Sequence, residues 1–184
     1  KQCPAFINEL RHQGYPVSAS CHFEGELLVR FSAGNNEIES LNKSLSKNYA
    51  YIDSRQLQDS SFWLHLKEHT LPFFSLEKED SDLSLWRLSV SADTDVSSLI
   101  DAQTNFISEW GNCVYWFKSN SQSELVFNTA KNISGSASVF KANNDAMTNR
   151  FQPLSAVVGN WHKELKNAFD PADILNRGKM YLEF

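Results

Sequence analysis

The order of the predicted elements constrains the fold of this chain most, because the sequence indicates the same strand, strand, helix unit twice. The first unit is a hairpin over residues 17–31 with a central Glu-Gly turn, followed by a helix through NNEIESLNKSL behind an Asn cap. The second unit is a hairpin over residues 106–117 with a central Gly-Asn turn, followed by a short helix through SQSELVFNTAK. Two such units predict an α+β fold of the ferredoxin-like type, with helices packed on an antiparallel sheet.

Further strands and helices are predicted around these two units. A helix capped by Asp59 ends before Pro72, because the residue that precedes a proline is driven out of the helical conformation. The strand LSLWRLSV alternates, so that Trp86 and Leu88 face one side of the sheet while Arg87 faces the more polar side. The strand GSASVFKA and the helix SAVVGNWHKELKNAF follow. The apolar stripe of this last helix consists of Val157, Val158, Trp161, Leu165 and Phe169.

The composition supports one folded domain over residues 1–184. Hydrophobic residues make up 41% of the chain and no low-complexity segment divides it, which is typical of a globular protein with a core. The formal net charge is −5 without a basic run, which argues against a surface for nucleic acid. No apolar stretch approaches the roughly 20 residues of a membrane span. Three cysteines without a C-x-x-C pair fit reduced thiols, so we predict a cytoplasmic protein.

Motifs for phosphate loops and metal sites are absent or weak. The seven glycines are too far apart to form a G-x-G-x-x-G turn. His65, Glu68 and His69 match the inverted zinc-protease pattern H-x-x-E-H, in which two histidines four residues apart share a helical face. Glu164 is the candidate for a third ligand. Since a five-letter match is a frequent accident, a plain helical surface is the favoured interpretation, and no metal is predicted.

The C-terminal segment carries the most specific motif. In LKNAFDPADILNRGKMY, the Asp170-Pro171 pair stops a helix, one further turn follows, and the chain reverses at Asn176 and Gly178. The part FDPADILNRGKMY resembles the C-terminal signature of FAD-linked oxidases of the vanillyl-alcohol oxidase type, where F/L-D-P is followed by I-L-N-P-G-K/R. Arg177 stands where that signature has a proline.

Other blocks resemble one branch of this family. HTLPFF, LWRLSV, EWGNCVYWF, SGSASVFK and FQPL are similar, in this order, to blocks of the FAD-binding component of bacterial glycolate oxidases. The resemblance implies that residues 1–184 form the C-terminal cap or substrate domain of such a subunit, whose N-terminal FAD-binding domain lies outside the chain. The whole assembly would oxidise glycolate or a similar 2-hydroxy acid to the 2-oxo acid. Its partners would be a catalytic flavoprotein subunit and an iron–sulfur subunit, which would place it in the cytoplasm, peripheral to the inner face of the membrane.

The same resemblance implies roles for individual residues. Asn176 and Lys179 become candidate flavin contacts, and Gly178 allows close approach of the backbone. Arg87 becomes the candidate for the substrate carboxylate, because a guanidinium binds a carboxylate through two parallel hydrogen bonds. The alternative for Arg87 is a surface ion pair on a strand. The chain alone is not expected to bind FAD tightly or to be active, because the domain that cradles the flavin is not part of it.

One departure from the branch supports a second hypothesis. The branch reads G-G-H-A where residues 134–137 read SGSA, so an imidazole that serves as a base or flavin neighbour is missing there. The chain would then be a non-catalytic module that joins subunits of a flavoprotein complex. Under this hypothesis Trp63, Trp110 and Trp116 form the interface, since tryptophan is enriched at interfaces.

Overall fold

The computed structural model describes residues 2–57, 60–77, 82–101, 103–143 and 150–181, and its main feature is one six-stranded antiparallel sheet of order β2-β1-β4-β5-β3-β6. The helices are α1 (Gln2–His12), α2 (Asn35–Asn48), α3 (Ser61–Lys67), α4 (Ser123–Asn132) and α5 (Ala156–Phe169). The strands are β1 (Val17–Phe23), β2 (Glu26–Phe31), β3 (Ser84–Ser89), β4 (Phe106–Glu109), β5 (Val114–Ser119) and β6 (Ser136–Ala142). A 3-10 turn at Pro72–Phe74 follows α3. The predicted α+β class with an antiparallel sheet is confirmed.

Both predicted strand, strand, helix units are present, as β1-β2-α2 and β4-β5-α4. The turns fit this arrangement, because Glu24 and Gly25 have φ values of 50° and 80° and Gly111 and Asn112 have values of 65° and 67°. The predicted Asn cap of α2 is wrong. Gly34 is the cap residue, and its backbone N–H donates to Glu37 Oε2 at 3.1 Å. The predicted cap of α3, Asp59, lies outside the described residues.

The second unit belongs to a larger arrangement of the predicted ferredoxin-like type. The neighbouring order β4-β5-β3-β6 with α4 is that of a β-α-β-β-α-β unit that lacks its first helix. In place of that helix, the described residues 90–101 form turns, and Ile100 is 6% exposed in the core. Within this unit, β3 separates β5 from β6, so these sequential strands lie apart in the sheet.

The two faces of the sheet carry separate cores. The back face, which we define by Trp86, Leu88 and Phe117, is covered by α4, and the same side of β1 and β2 is covered by α1 and α2. The front face, which we define by Leu85, Arg87 and Trp116, is covered by α3 and the 3-10 turn. The predicted alternation of β3 is thus confirmed, but the side that carries Arg87 is a second apolar core rather than a polar surface.

Helix α1 was not predicted from the sequence. Its residues Ile7 and Leu10 are each 1% exposed and pack against Tyr15 and Tyr49. Pro4 lies in the first turn, where a proline costs no helical hydrogen bond. Burial of two apolar side chains against the β1-β2 hairpin supports this helix.

None of the described helices is both long and apolar enough to cross a membrane.

Helix α5 forms where it was predicted, but it does not pack on the sheet. No residue of α5 is buried, and the side chains of Trp161 and Phe169 are 65% and 81% exposed. The expectation that the helices cover the sheet holds for α1 to α4 and is wrong for α5. Periodicity fixes which side chains share a stripe, whereas burial requires a partner surface that the described residues do not supply.

Candidate functional site

The front face carries an arginine on an aromatic platform. The guanidinium carbon of Arg87 lies 5.7 Å from the centre of the Trp116 ring, and Arg87 Nη1 donates to Ser89 Oγ at 2.9 Å. Trp116 is 3% exposed, and its Nε1 donates to Glu109 Oε2 at 2.6 Å. Among the described residues no carboxylate lies within 4.0 Å of Arg87, so the surface ion pair considered as its alternative is not formed with any of them. The guanidinium is held in place, and most of its donors are left for a ligand.

The pairing of strands brings this platform together. Arg87 lies opposite Trp116 in the β3-β5 register, and Glu109 lies on β4 beside β5. Sequence reasoning selected Arg87 but missed Glu109 and the platform role of Trp116. Predicting them would have required the pairing register of β3, β5 and β4, and the sequence of one strand does not give that register.

A histidine also contacts the platform. The ring of His69 lies 4.8 Å from Phe74, 4.8 Å from Trp116 and 4.9 Å from Phe140, measured between ring centres. Burial is the main cause that lowers the pKa of His69 below its ordinary value, because an apolar environment disfavours the imidazolium. The carboxylate of Glu109 opposes this shift. The front face therefore favours a neutral imidazole near Arg87.

The position of His69 removes the geometry that the H-x-x-E-H pattern requires. Helix α3 ends at Lys67, and His69 has a φ of 53°, so its ring turns toward Trp116. His65 stays on the exposed helix surface, where its Nδ1 lies 2.8 Å from Thr70 Oγ1. The two histidines do not share a helical face. No group of three His, Cys, Asp or Glu residues that could hold a metal ion occurs in the part of the chain that the structure describes.

The C-terminal segment is anchored by a buried carboxylate. Asp170 is 6% exposed, its Oδ1 accepts a hydrogen bond from the Ile174 backbone N–H at 3.1 Å, and its Oδ2 accepts one from Leu175 at 2.8 Å. Lys166 forms an ion pair with Asp170 and also donates to the Leu175 carbonyl at 2.5 Å. These contacts explain why the Asp-Pro pair works as a helix stop, because the carboxylate binds the turn that follows.

The predicted flavin contacts lie in the reversal after this anchor. Asn176 and Gly178 have φ values of 51° and 65°, and the Lys179 N–H donates to the Asn176 carbonyl at 3.1 Å. The side chains of Asn176 and Lys179 are exposed. Arg177, which replaces the proline of the signature, pairs with Asp173 at 3.2 Å. No contact among the described residues joins this segment to Arg87, so the structure shows two separate candidate regions.

A large apolar surface accompanies the reversal. We call it the α5-tail surface, and its members are 58% to 81% exposed. They are Val157, Trp161, Leu165, Phe169, Ile174, Leu175 and Met180. Apolar side chains that line one helix and continue into the next turn mark an interaction surface more often than a free one.

The tryptophans predicted to form an interface behave differently from one another. Trp110 is 75% exposed at the tip of the β4-β5 hairpin, but Trp116 is buried. Trp63 is half-buried beneath the guanidinium of Arg30, which lies 5.5 Å from its ring centre. The interface assigned to these three residues is therefore wrong for Trp116, whose ring fills the front-face core.

Asp170 provides a pH prediction for the C-terminal segment. The hydrogen bond from Lys166, followed by those from the backbone, lowers the pKa of Asp170 to about 2. A lowered pKa means that the anchor stabilises the fold above the ordinary carboxyl pKa and is lost as the pH falls toward about 2. In NMR spectra we expect the Ile174 and Leu175 amide resonances to titrate near that lower value.

The substitution that tests this prediction is Asp170→Asn, and Asp53→Asn, at an exposed position, is its control. Asp170→Asn should remove the titration and increase tryptic cleavage after Lys166 and Arg177, whereas Asp53→Asn should change neither. Amide resonances that titrate near the ordinary carboxyl pKa in the unsubstituted protein would show that the anchor is not formed in solution.

The fold and the site define a class of protein, namely an α+β domain that presents an unpaired arginine on one sheet face and an exposed apolar helix at its C-terminal end. Over 177 residues, which are 96% of this chain, the sequence is 30% identical to glycolate oxidase subunit GlcE of Escherichia coli strain K12. The resemblance predicted from the motifs is thus confirmed. The match covers 45% of GlcE, so the chain spans about half the length of the curated relative it matches. No family model matches the chain. No solved structure matches it either.

Proposed function

We propose that this chain is the C-terminal cap or substrate domain of an FAD-dependent subunit of a glycolate oxidase complex, which oxidises a small 2-hydroxy acid to the 2-oxo acid. The observation that carries the proposal is the similarity to glycolate oxidase subunit GlcE, which extends over nearly the whole chain. The unmatched part of GlcE leaves room for a separate FAD-binding domain, as the resemblance implies.

The cofactor of the full-length subunit is then FAD, which supplies the acceptor for the hydride when it is bound. Asn176 and Lys179 carry exposed polar groups next to exposed Ile174 and Leu175. Polar donors beside an apolar surface fit one side of a flavin ring, which has polar edges and an apolar body. The positive φ of Gly178 keeps the backbone in a reversal that a side chain would strain.

Arg87 is proposed to bind the substrate carboxylate. Its guanidinium lies over an aromatic ring, is half-buried, and has no described carboxylate partner. Such a guanidinium loses little conformational entropy when it forms two hydrogen bonds to a carboxylate, so it suits a small acid. Ser136, which stands where the branch has histidine, is exposed at the start of β6 and supplies no base. The subunit would bind and orient the acid through Arg87.

The α5-tail surface is proposed to dock on the FAD-binding domain of the same subunit. The exposed stripe leads directly into Asn176 and Lys179, so a domain that covers the stripe would also meet the proposed flavin contacts. The same surface also favours a second candidate function, a non-catalytic module that joins subunits. In that case the partner is another flavoprotein subunit, and Arg87 has no role in turnover.

The proposal is tested on the intact subunit, co-purified with its partners, by flavin absorbance and by dye reduction with glycolate as the electron donor. Arg87→Lys should raise the KM for glycolate by about tenfold or more, because an ammonium cannot form the paired hydrogen bonds. Arg30→Lys is the matched control, since Arg30 also lies over a tryptophan and donates to a serine, Ser18. It should leave the KM unchanged.

The outcomes separate the two candidates. Bound flavin together with a KM effect confined to Arg87 supports the cap domain. A subunit that stays with its partners but holds no flavin supports the interaction module. If Arg87→Lys and Arg30→Lys change the KM for glycolate equally, Arg87 does not bind the substrate carboxylate.

A further inference from the structure

An open cleft of about 430 Å³ lies beside the front face, at the edge strand β6. Ser75 and Leu76 form one wall, residues 140–143 form the other, and Arg150 completes the lining. The proposed roles of Arg87, Asn176 and Lys179 do not involve this cleft.

A β-bulge gives the cleft its first cation. The β3-β6 register shifts so that Leu85 pairs with Lys141 while the next residue, Trp86, pairs with Val139. The extra residue is Phe140, whose ring lies 4.9 Å from Trp116 on the front face. Lys141 follows on the side of Leu85.

The ammonium of Lys141 is held in place by one hydrogen bond and keeps free donors. Its Nζ donates to the Phe74 carbonyl at 3.0 Å and lies 5.9 Å from the ring centre of Phe140. One of its three N–H donors is therefore occupied by the backbone, and two remain for a ligand. Because the side chain is half-buried and already held, binding would cost little further conformational entropy.

Arg150 supplies the second cation from a backbone position that β6 fixes. Its carbonyl accepts a hydrogen bond from the Val139 N–H at 2.8 Å, and Phe151 forms a bridge with Ser138. The part of the chain that the structure describes places no carboxylate within 4.0 Å of Lys141 or Arg150. The described acid nearest in the chain, Glu77, has an exposed side chain and contributes its carbonyl to Asn143 at 3.4 Å.

We propose that this cleft binds the oxyanion group, phosphate or carboxylate, of a small molecule whose apolar part rests against Phe140 and Leu76. Two cations without described carboxylate partners converge on one concavity, although the whole chain carries a net charge of −5. The net negative charge of the chain as a whole repels anions. The two cations reverse this locally and make the cleft attractive to an anion. A guanidinium and an ammonium with free donors match oxygen ligands of either kind.

The probes are inorganic phosphate and oxalate, titrated into the protein at low ionic strength and followed by calorimetry and by amide NMR shifts. We expect saturable binding that shifts the amides of Ala142 and Arg150. Arg150→Gln should weaken binding about tenfold, the scale of losing one charge-assisted contact. Lys43→Gln removes the same charge from an exposed site on α2, at the other end of the sheet, and should have less than about a twofold effect.

Lys141→Met provides a second, independent variant, and a thermal melt of each variant shows that it is folded. Tighter binding of phosphate would identify a phosphorylated molecule as the ligand, and tighter binding of oxalate would identify a carboxylic acid. Either result supports the oxyanion site. No saturable binding up to about 10 mM, which corresponds to less than about 3 kcal/mol, would overturn it, and so would equal affinities of Arg150→Gln and the unsubstituted protein.

Discussion

Replacing Trp116 with alanine is expected to lower the free energy of unfolding by about 3–5 kcal/mol, the usual range for removing a buried tryptophan. The indole is 3% exposed, and its ring centre lies 5.4 Å from Phe74 and 4.9 Å from Phe140. Truncation leaves a cavity in the front-face core and leaves the carboxylate of Glu109 without its indole donor. Chemical denaturation monitored by circular dichroism measures the change.

Trp110→Ala is the matched control for this prediction. Trp110 is 75% exposed at the tip of the β4-β5 hairpin, so its removal should change stability by no more than about 0.5 kcal/mol. Trp116→Phe separates packing from hydrogen bonding, because it keeps an aromatic ring and deletes the donor to Glu109. If Trp116→Ala and Trp110→Ala unfold at the same denaturant concentration, the front-face core is not packed as described.

Replacing Gly135 with alanine is the second change with a large expected effect, about 1–3 kcal/mol of destabilisation from overpacking. A Cβ on Gly135 would lie 2.7 Å from Val90 Cγ1, 3.1 Å from the Ser89 carbonyl oxygen and 3.3 Å from the Ala130 carbonyl oxygen. Two of these three neighbours are backbone atoms, which cannot move aside as a flexible side chain would. The close approach arises because the chain passes directly from α4 into β6 beside the end of β3.

Gly159→Ala tests whether this effect is specific to the position. Gly159 lies within α5, and a Cβ there would meet only Leu154 Cβ at 3.9 Å. Alanine should therefore stabilise the helix by up to about 1 kcal/mol, because glycine is a poor helix former. Thermal unfolding of both variants gives the comparison, and a stable Gly135→Ala protein would show that the α4-β6 junction is looser than described.

The first two residues of the SGSA segment, Ser134 and Gly135, occupy positions where glycine is favoured for two different reasons. Ser134 has a φ of 56°, a conformation that glycine adopts more easily, and the related branch has glycine at that position. Gly135 is needed for a different reason, namely the lack of space beside Val90. The sequence shows that the first of these glycines is replaced, but only the packing shows why the second is retained.

Much of the local structure could be predicted, and the reason is that it depends on nearby residues. Both hairpins, the helices α2, α4 and α5, and the alternation of β3 follow from turn residues and periodicity. Helix α1 was missed, although burial of Ile7 and Leu10 supports it, because that burial depends on a hairpin elsewhere in the chain. The cap of α2 was misplaced by one residue, because Gly34 is the cap and its backbone N–H donates to the Glu37 side chain, so no side chain of the cap residue takes part.

In the candidate site too, what could be predicted depends on neighbouring residues, and what was missed depends on residues far apart in the chain. Arg87 was selected from its strand, but its platform exists because β3 pairs with β5 and β5 with β4, which places Trp116 opposite Arg87 and Glu109 within hydrogen-bond distance of Trp116. His69 was assigned to a helical face that α3 does not reach, and its ring packs on the platform instead.

The sequence by itself determined the fold class, the resemblance to a glycolate oxidase component and the stopped helix with its reversal, because each depends on residues that are close together in the chain. Only the tertiary structure decided which predicted surfaces have partners. It buried Trp116 and left the stripe of α5 exposed, although both are apolar and regularly placed. The physical reason is that periodicity sets the direction in which a side chain points, while burial depends on whether another surface meets it there.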